Sequence, residues 1–390
     1  MAGAIKEQPL SPEQLKGAST NYLRCLNLPP SSQVLIITDK FPKNIGEAMQ
    51  NDLSVREDIT TSLKRQINRE GHRVAMVSFD NNLSFDEFRA QTNQALKELD
   101  NKEGVEGIID DTTTIVYLGE KWEKRFGMYQ GAEDFGNENG RVVRLAGSLG
   151  FSTGDARVMS ELTPEKMDRI NEENKKFDEF FEKKPLGKFE ITTRGEDGQE
   201  RILNISYNTK EAPFEPDTGQ FVAEHNNMLT EHVKYINIPG GETFAAPYPF
   251  QETNGEFAAE GMLVTVKNGL VESIVELEEG ARNNKDPMQK DLIKLVEQGK
   301  KIPVAELGLG YYALIGIKTY SDSSILSREK GGPHIGFAHT YTTTEKKAIE
   351  QVLEDQGLDF GHTDFVMDNP VMIWSNVDGN NKEQFYPPTN

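Results

Sequence analysis

Residues 33–39, QVLIITD, form a short and nearly continuous run of apolar side chains. Such a run is typical of a strand that is buried on both faces, as in a parallel sheet that carries helices on each side. Residues 12–27, just before it, space their apolar side chains as a helix does, and Pro29 and Pro30 end that helix. The chain is therefore predicted to open with a helix followed by a buried strand.

The same alternation continues through the first third of the chain. Helices are predicted at 45–70 and 85–99, and strands at 72–79 and 113–118. Strands that alternate with helices predict a parallel sheet with right-handed crossovers. The segment 129–144 is rich in glycine and asparagine and is predicted to be a loop. Neither GxGxxG nor GxxxxGK[ST] follows a predicted strand, which argues against a nucleotide site.

The pattern changes after Pro185. Runs rich in β-formers flank the turns at 195–198 and 268–269, as expected of antiparallel hairpins. We therefore predict two domains in a mixed fold. An N-terminal open parallel α/β domain takes residues 1–185, and a mainly antiparallel α+β metal-binding domain takes residues 186–390.

Composition restricts the class of partner. The chain has 390 residues and a formal net charge of -20, with a pI near 4.9. This charge argues against nucleic acid and anionic membranes as partners, because both repel an acidic surface. It favours metal cations and substrates with a positively charged amine. Most of the charge is nevertheless expected to be ordinary solvated surface.

Cysteine content and hydropathy indicate the compartment. The single cysteine, Cys25, rules out an intramolecular disulfide and a cysteine-based zinc site. Residues 1–10 lack the apolar run of a secretory signal, and no stretch of about 18 apolar residues predicts a membrane span. We therefore predict a cytoplasmic protein.

The segment 327–341, SREKGGPHIGFAHTY, has the chemistry of a site. Glu329 is followed five residues later by His334, and Tyr341 comes seven residues after that. Further along, His362 and Asp364 stand two residues apart, so that in a strand both side chains point to one side and could hold one ion. These residues suggest a hydrolytic metal site.

Two further acidic residues beside glycine turns complete the donor set of such a site. A hydrolase that uses two divalent ions needs several carboxylates and one or two imidazoles. The candidates are Glu242, Glu306, Glu329, His334, His362 and Asp364. Taken singly, each has a structural explanation, since a lone glutamate is mostly surface and a lone histidine is mostly packing. His339 is interpreted as a packing or supporting residue. The spacing alone leaves the question open, because no contiguous motif such as HExxH occurs.

Four segments in order resemble a known family. They are 236–247 (INIPGGETFAAP), 305–310 (AELGLG), 329–341 (EKGGPHIGFAHTY) and 362–367 (HTDFVM). Their order and residue patterns resemble the corresponding segments of the M29 family of metallopeptidases, the thermophilic aminopeptidases. The resemblance covers the C-terminal half of the chain, whereas the N-terminal half shares mainly the α/β pattern. The segment 336–339 departs from the small apolar residues typical of the family, which bears on substrate range.

The resemblance implies roles for individual residues. The six candidates named above fall where the family binds two divalent ions, of the zinc, cobalt or manganese type. Glu306 and Tyr341 fall where the family has its catalytic pair. The implied reaction removes the N-terminal residue from short peptides or amino-acid amides, and the family is typically a homodimer.

Two alternatives remain at this stage. A single-iron ring-cleaving dioxygenase resembles the same scaffold, but it holds its iron with fewer carboxylates than the three glutamates kept here. A non-catalytic module that binds a metal or an amino acid is the other alternative. Retention of Glu306 and Tyr341 argues against it.

Overall fold

The computed structural model of the protein describes residues 9–40, 46–80, 82–100, 113–119, 122–221, 230–320, 323–340 and 343–387. The chain divides into two compact units. The first unit comprises Met1–Asp168, Asp217–Gly240 and Ile317–Ser327. The second comprises Arg169–Pro216, Gly241–Gly316 and Arg328–Asn390.

Helices and strands of the described residues are numbered in chain order. The α-helices are α1 Pro12–Leu26, α2 Glu47–Arg69, α3 Phe85–Asp100, α4 Trp122–Asn139, α5 Thr153–Glu161, α6 Pro164–Lys183, α7 Pro287–Glu297, α8 Tyr312–Ile315, α9 Ile325–Glu329 and α10 Thr343–Glu354. The strands are β1 Gln33–Lys40, β2 Arg73–Asp80, β3 Thr113–Gly119, β4 Val143–Leu149, β5 Leu186–Arg194, β6 Glu200–Asn208, β7 Glu215–Asp217, β8 Val233–Asn237, β9 Glu242–Ala245, β10 Asn254–Ala259, β11 Met262–Lys267, β12 Leu270–Glu276, β13 Val304–Gly310, β14 Pro333–Phe337, β15 Thr363–Val366, β16 Val371–Ser375 and β17 Glu383–Tyr386.

A five-stranded parallel sheet, in the order β2-β1-β3-β4-β8, forms the centre of the first unit. Leu35 and Ile37 of β1 pack in a core with Phe88 of α3 and Tyr117 of β3, all of them fully buried. The strand predicted from QVLIITD is therefore confirmed, as is the parallel α/β sheet around it. The predicted helices of this region are confirmed within a few residues.

Strand β8 joins this sheet, although it lies in the C-terminal half of the sequence. Val233 is paired with Val143, and Asn237 with Gly147, in a parallel ladder along the outer edge of β4. A division at residue 185 puts β8 in the second domain. In the structure, each unit is made of three separate segments of the chain, and β8 belongs to the first unit. The local sequence of β8 indicates a strand, but it does not indicate which sheet edge the strand joins.

The predicted loop at 129–144 is wrong, because α4 continues to Asn139 and β4 begins at Val143. Glycine within this segment serves helix packing, since a Cβ atom on Gly131 would stand 2.6 Å from the carbonyl oxygen of Arg89 in α3. Gly127, just before the segment, does the same, since a Cβ atom there would stand 2.9 Å from the carbonyl oxygen of Phe85. Glycine thus lets α3 and α4 approach closely, and tertiary packing outweighs its low helix propensity.

Two antiparallel sheets form the second unit, as predicted. A seven-stranded sheet has the order β12-β11-β10-β6-β5-β16-β17, and a five-stranded sheet has the order β15-β14-β13-β9-β7. We call the five-stranded sheet the site sheet. The predicted hairpin turn between β11 and β12 is confirmed, with Asn268 and Gly269 both at positive φ. Within the described residues, no helix is long and apolar enough to span a membrane.

Candidate metal centre

The register of the site sheet gathers four of the six predicted ligands on one face: Glu242, Glu306, His334 and Asp364. Residues directly opposite each other on neighbouring strands share a face. The opposed pairs are Gly310 with Glu242, Gly308 with His334, Glu306 with Gly336, and Gly336 with Asp364. Glu306, Gly308 and Gly310 alternate along β13 and therefore share that face as well. The strands β9, β13, β14 and β15 thus present carboxylates and an imidazole on one face of the sheet.

His334 is fully buried and faces two carboxylates. Its Nε2 atom lies 3.3 Å from Oε2 of Glu242 and 3.4 Å from Oε1 of Glu306. The other ring nitrogen, Nδ1, lies 3.1 Å from the carbonyl oxygen of Gly332 and donates to it. When such a histidine is neutral, the bond from Nδ1–H to a carbonyl leaves the lone pair on Nε2, which is the usual state of a metal-ligating imidazole.

His362 repeats this arrangement on the other side of Glu306. Its Nδ1 donates to the carbonyl oxygen of His339 at 2.5 Å, and its Nε2 lies 3.0 Å from Oδ1 of Asp364 and 3.6 Å from Oε2 of Glu306. The Glu306 carboxylate therefore lies between two imidazoles and offers one oxygen to each. An imidazole nitrogen thus faces a carboxylate oxygen on each side of Glu306.

The electrostatics of the centre favour positive charge. Burial opposes protonation of His334, yet Glu306 and the other carboxylates around it raise its pKa to about 10. Burial likewise opposes protonation of His362, and Asp364 with Glu306 raises its pKa to about 10. Burial opposes ionisation of Asp364, but the two histidines hold its pKa at about 2. Protons on the imidazoles here supply the charge that a cation would supply.

Glu329 and Lys330 extend the centre beyond the predicted ligands. Burial raises the pKa of Glu329 well above its usual range, and this carboxyl group hydrogen-bonds to Asp364. Lys330 is fully buried; its ammonium group donates to Glu242 and, at 2.7 Å, to Oε1 of Glu329. Sequence reasoning missed Lys330, because a lysine beside a glutamate is ordinarily surface charge and no local pattern marks this one as buried.

The residues present fit a divalent cation. Glu306, His334 and Asp364 each offer a ligand atom, and the three atoms lie within 4.8 Å of one another. Glycines leave room beside the imidazoles: a Cβ on Gly308 would stand 2.0 Å from Nε2 of His334, and one on Gly336 would stand 2.5 Å from Cε1 of His362. Mixed imidazole and carboxylate donors suit zinc, cobalt or manganese.

All six predicted ligands lie together in the second unit, and their side chains are buried or nearly so. Their role as ligands stays a prediction. Tyr341 lies outside the described residues. His339 is partly exposed, with Nδ1 3.6 Å from Glu350, and its carbonyl group orients His362. This placement agrees with a supporting role for His339.

A buried polar network supports the centre from behind. Gln289, fully buried at the start of α7, donates to Oε2 of Glu260 at 2.8 Å and to the carbonyl oxygen of Asp364 at 2.7 Å. Glu260 is paired in turn with Arg328, which directly precedes Glu329. The network links the backbone on which Asp364 lies to the residue before Glu329. The sequence gives no signal for Gln289 beyond its position after the N-cap of a helix.

The fold and the site define a mixed α/β protein with a buried centre of carboxylates and imidazoles on an antiparallel sheet. No family model and no curated protein sequence matches the chain. Among solved structures, the chain is similar to wild-type AmpT from Thermus thermophilus, with a TM-score of 0.57 and 13% identity over 96% of this chain and 97% of AmpT.

The likeness to AmpT extends over both units and agrees with the mixed α/β and α+β fold predicted from sequence. A second structure, described as a LacI-family transcription regulation repressor from Corynebacterium glutamicum, matches 37% of the chain with a TM-score of 0.22.

Proposed function

We propose that the protein is a metal-dependent aminopeptidase that uses two divalent cations. The observation that carries this proposal is the position of Glu306, whose two carboxylate oxygens face His334 at 3.4 Å and His362 at 3.6 Å. One carboxylate between two imidazoles suits a bridging or base role at a two-cation centre. The AmpT-like fold supports the same class of enzyme.

The chain's own residues supply the remaining chemistry. Bound divalent cations, held by the six predicted ligands, would polarise the scissile carbonyl and acidify a water molecule. Glu306, buried at the centre, is the proposed base that takes the proton of this water. Tyr341 is the proposed donor to the oxyanion, a contribution worth about 2.7–4 kcal/mol for a well-placed group.

The substrates that we propose are short peptides and amino-acid amides with a free α-amine. An acidic chain of net charge -20 attracts such amines, and four carboxylic acids lie at the centre itself. We also propose that the enzyme is cytoplasmic, as its cysteine content and hydropathy predict, and that it is a homodimer, as the family resemblance implies. Size-exclusion chromatography with light scattering tests the oligomeric state.

Hydrolysis of an aminoacyl chromogenic amide tests the function. We expect release of the chromophore by the protein supplied with zinc, cobalt or manganese, and loss of release on chelation. Glu306→Gln should lower kcat at least 100-fold, because the amide cannot accept a proton. Tyr341→Phe should lower kcat while KM and cation affinity stay near those of the wild type.

The same assay separates the alternatives. Oxygen uptake with iron and no hydrolysis with any cation would indicate a ring-cleaving dioxygenase instead. Tight cation binding with neither reaction would indicate a binding module. Elemental analysis adds the stoichiometry: two cations per chain support the proposal, and one cation per chain contradicts its two-cation form.

A further inference from the structure

Lys330 is a fully buried cation in contact with two of the proposed ligands. Its Nζ atom donates to Glu242 of β9 and to Oε1 of Glu329, the latter at 2.7 Å. Both glutamates are themselves buried. The ammonium group therefore joins two carboxylates that come from segments far apart in sequence.

The local backbone is built to bring Lys330 to this position. The amide of Tyr312 donates to the carbonyl oxygen of Lys330 at 2.8 Å, which ties the segment to the end of β13. A Cβ atom on Gly310 would stand 2.4 Å from the carbonyl oxygen of Glu329 and 2.5 Å from the carbonyl carbon of Lys330. Glycine at position 310 is thus what allows the segment to lie against the strand.

A buried ammonium group is energetically unfavourable in a purely structural role. Removing a charge from water costs several kcal/mol, and a well-packed apolar side chain is often at least as stabilising as a buried ion pair. The carboxylic acids of the centre change that balance: four of them converge on two imidazoles, and Lys330 adds a positive charge to those of the imidazoles. Lys330 supplies a positive charge and two hydrogen bonds at the point where Glu242 and Glu329 converge.

We propose that Lys330 is a positioning residue of the centre, an internal cation that holds Glu242 and Glu329 together before any divalent cation binds. This inference rests on the proposed function, since it takes those glutamates as ligands. Its consequence is that the cation-free fold depends on Lys330, whereas the cation-loaded fold depends on it much less, because the bound ions then balance the carboxylates.

The test compares thermal unfolding of chelated and cation-loaded protein for the wild type and Lys330→Met. We expect the chelated variant to melt about 5–10 °C below the chelated wild type. Added zinc or manganese should recover most of that loss, so the cation-induced rise in Tm is larger for the variant than for the wild type. A purely structural lysine would lower both melting temperatures equally, and that result would overturn the proposal.

Arg201→Met is the matched control. Arg201 is also buried and paired in the second unit, but its partner Asp197 is neither a proposed ligand nor part of the network behind the centre. We expect this variant to lose stability equally with and without cation. A rise in Tm as large as that of Lys330→Met would contradict a specific role for Lys330.

Two further results keep the test decisive. If Lys330→Met does not fold without cation, folding in the presence of zinc supports the proposal, and failure to fold in both conditions overturns it. If the wild type binds and is stabilised by cation but both variants show the same shift, the inference alone fails. If calorimetry shows no cation binding to the wild type, the proposed function fails and the inference fails with it.

Discussion

Gly308 lies directly opposite His334 across β13 and β14, and a Cβ atom at position 308 would stand 2.0 Å from Nε2 of the imidazole. No real Cβ contact is that short, so a side chain here must displace the ring. The hydrogen bond of Nδ1 to Gly332 fixes the ring from the other side. Glycine at position 308 therefore provides the space that Nε2 of His334 occupies.

Gly308→Ala should consequently weaken divalent-cation binding at least 10-fold, because the imidazole cannot keep its place beside Glu306. Isothermal calorimetry with zinc or manganese measures the affinity, and circular dichroism checks that the fold is kept. Gly332→Ala is the control, since the nearest atom to a Cβ there is the Tyr386 hydroxyl at 3.4 Å. Equal affinities in the two variants would show that the ring does not need this space.

Cation binding should release protons. With pKa values of about 10, His334 and His362 are protonated at pH 7 in the cation-free protein, and an imidazole must be neutral to ligate. Apparent affinity should therefore rise with pH from about 6 to 9. Calorimetry in buffers of different ionisation enthalpy counts the protons, and His334→Gln should reduce the count. Binding enthalpies that are independent of the buffer would contradict this prediction.

The same shifts give the cation-free protein a defined pH dependence. Both histidines have a folded-state pKa above the usual 6.5, so their contribution to stability is fully present below that value and is lost as the pH rises toward 10. Urea unfolding of chelated protein at pH 6.5 and at pH 9.5 should show lower stability at the higher pH. Saturating cation should remove most of the difference.

Gln289→Met should destabilise the second unit and weaken the centre. The substitution keeps the volume but leaves the carboxylate of Glu260 and the carbonyl group of Asp364 without the donors that Gln289 supplies. We expect a loss of about 2–4 kcal/mol in urea unfolding, since each buried acceptor left without its donor costs about 1–3 kcal/mol. Gln351→Met, which removes an exposed bond to Asp355, should change stability by less than about 0.5 kcal/mol.

Asp155 should make the first unit less stable as the pH rises from about 4 to 6. Burial raises its pKa from 3.8 to about 6, although hydrogen bonds from Ser327, Ser152 and Ser324 oppose that shift. The folded state therefore holds a proton that the unfolded state has lost, which is worth up to about 3 kcal/mol. Asp155→Asn should flatten the pH dependence of urea unfolding between pH 4 and 6, and an unchanged slope would contradict this prediction.

Much of this architecture is predictable from local patterns. A few neighbouring residues determine the structure of an apolar run such as β1 or of a turn such as Asn268-Gly269. The loop predicted at 129–144 is wrong because the role of Gly131 depends on α3, a partner that the local sequence does not show. Glycine is ambiguous on its own: it ends an isolated helix but permits close packing of a paired one.

The residues of the centre also fall into two groups, those that the local sequence indicates and those that it does not. Glu306, His334 and Asp364 could be singled out because their chemistry is unusual beside turns, and a family resemblance tied them together. Lys330 and Gln289 could not, since each looks like a common surface residue until its burial is known. Burial depends on how the strands of the site sheet pair, and those strands lie tens of residues apart in the sequence.

The pairing register of the site sheet determines whether the predicted ligands share a face. Side chains alternate between the two faces of a strand, so a slip of β14 by one residue would turn His334 away from Glu306 and bring Ile335 in its place. A chain with that error could still be compact and apolar inside, but it would have no cation site. Affinity for a divalent ion thus reports on correct strand registration, and a cell that supplies the ion would selectively stabilise the correctly assembled chain.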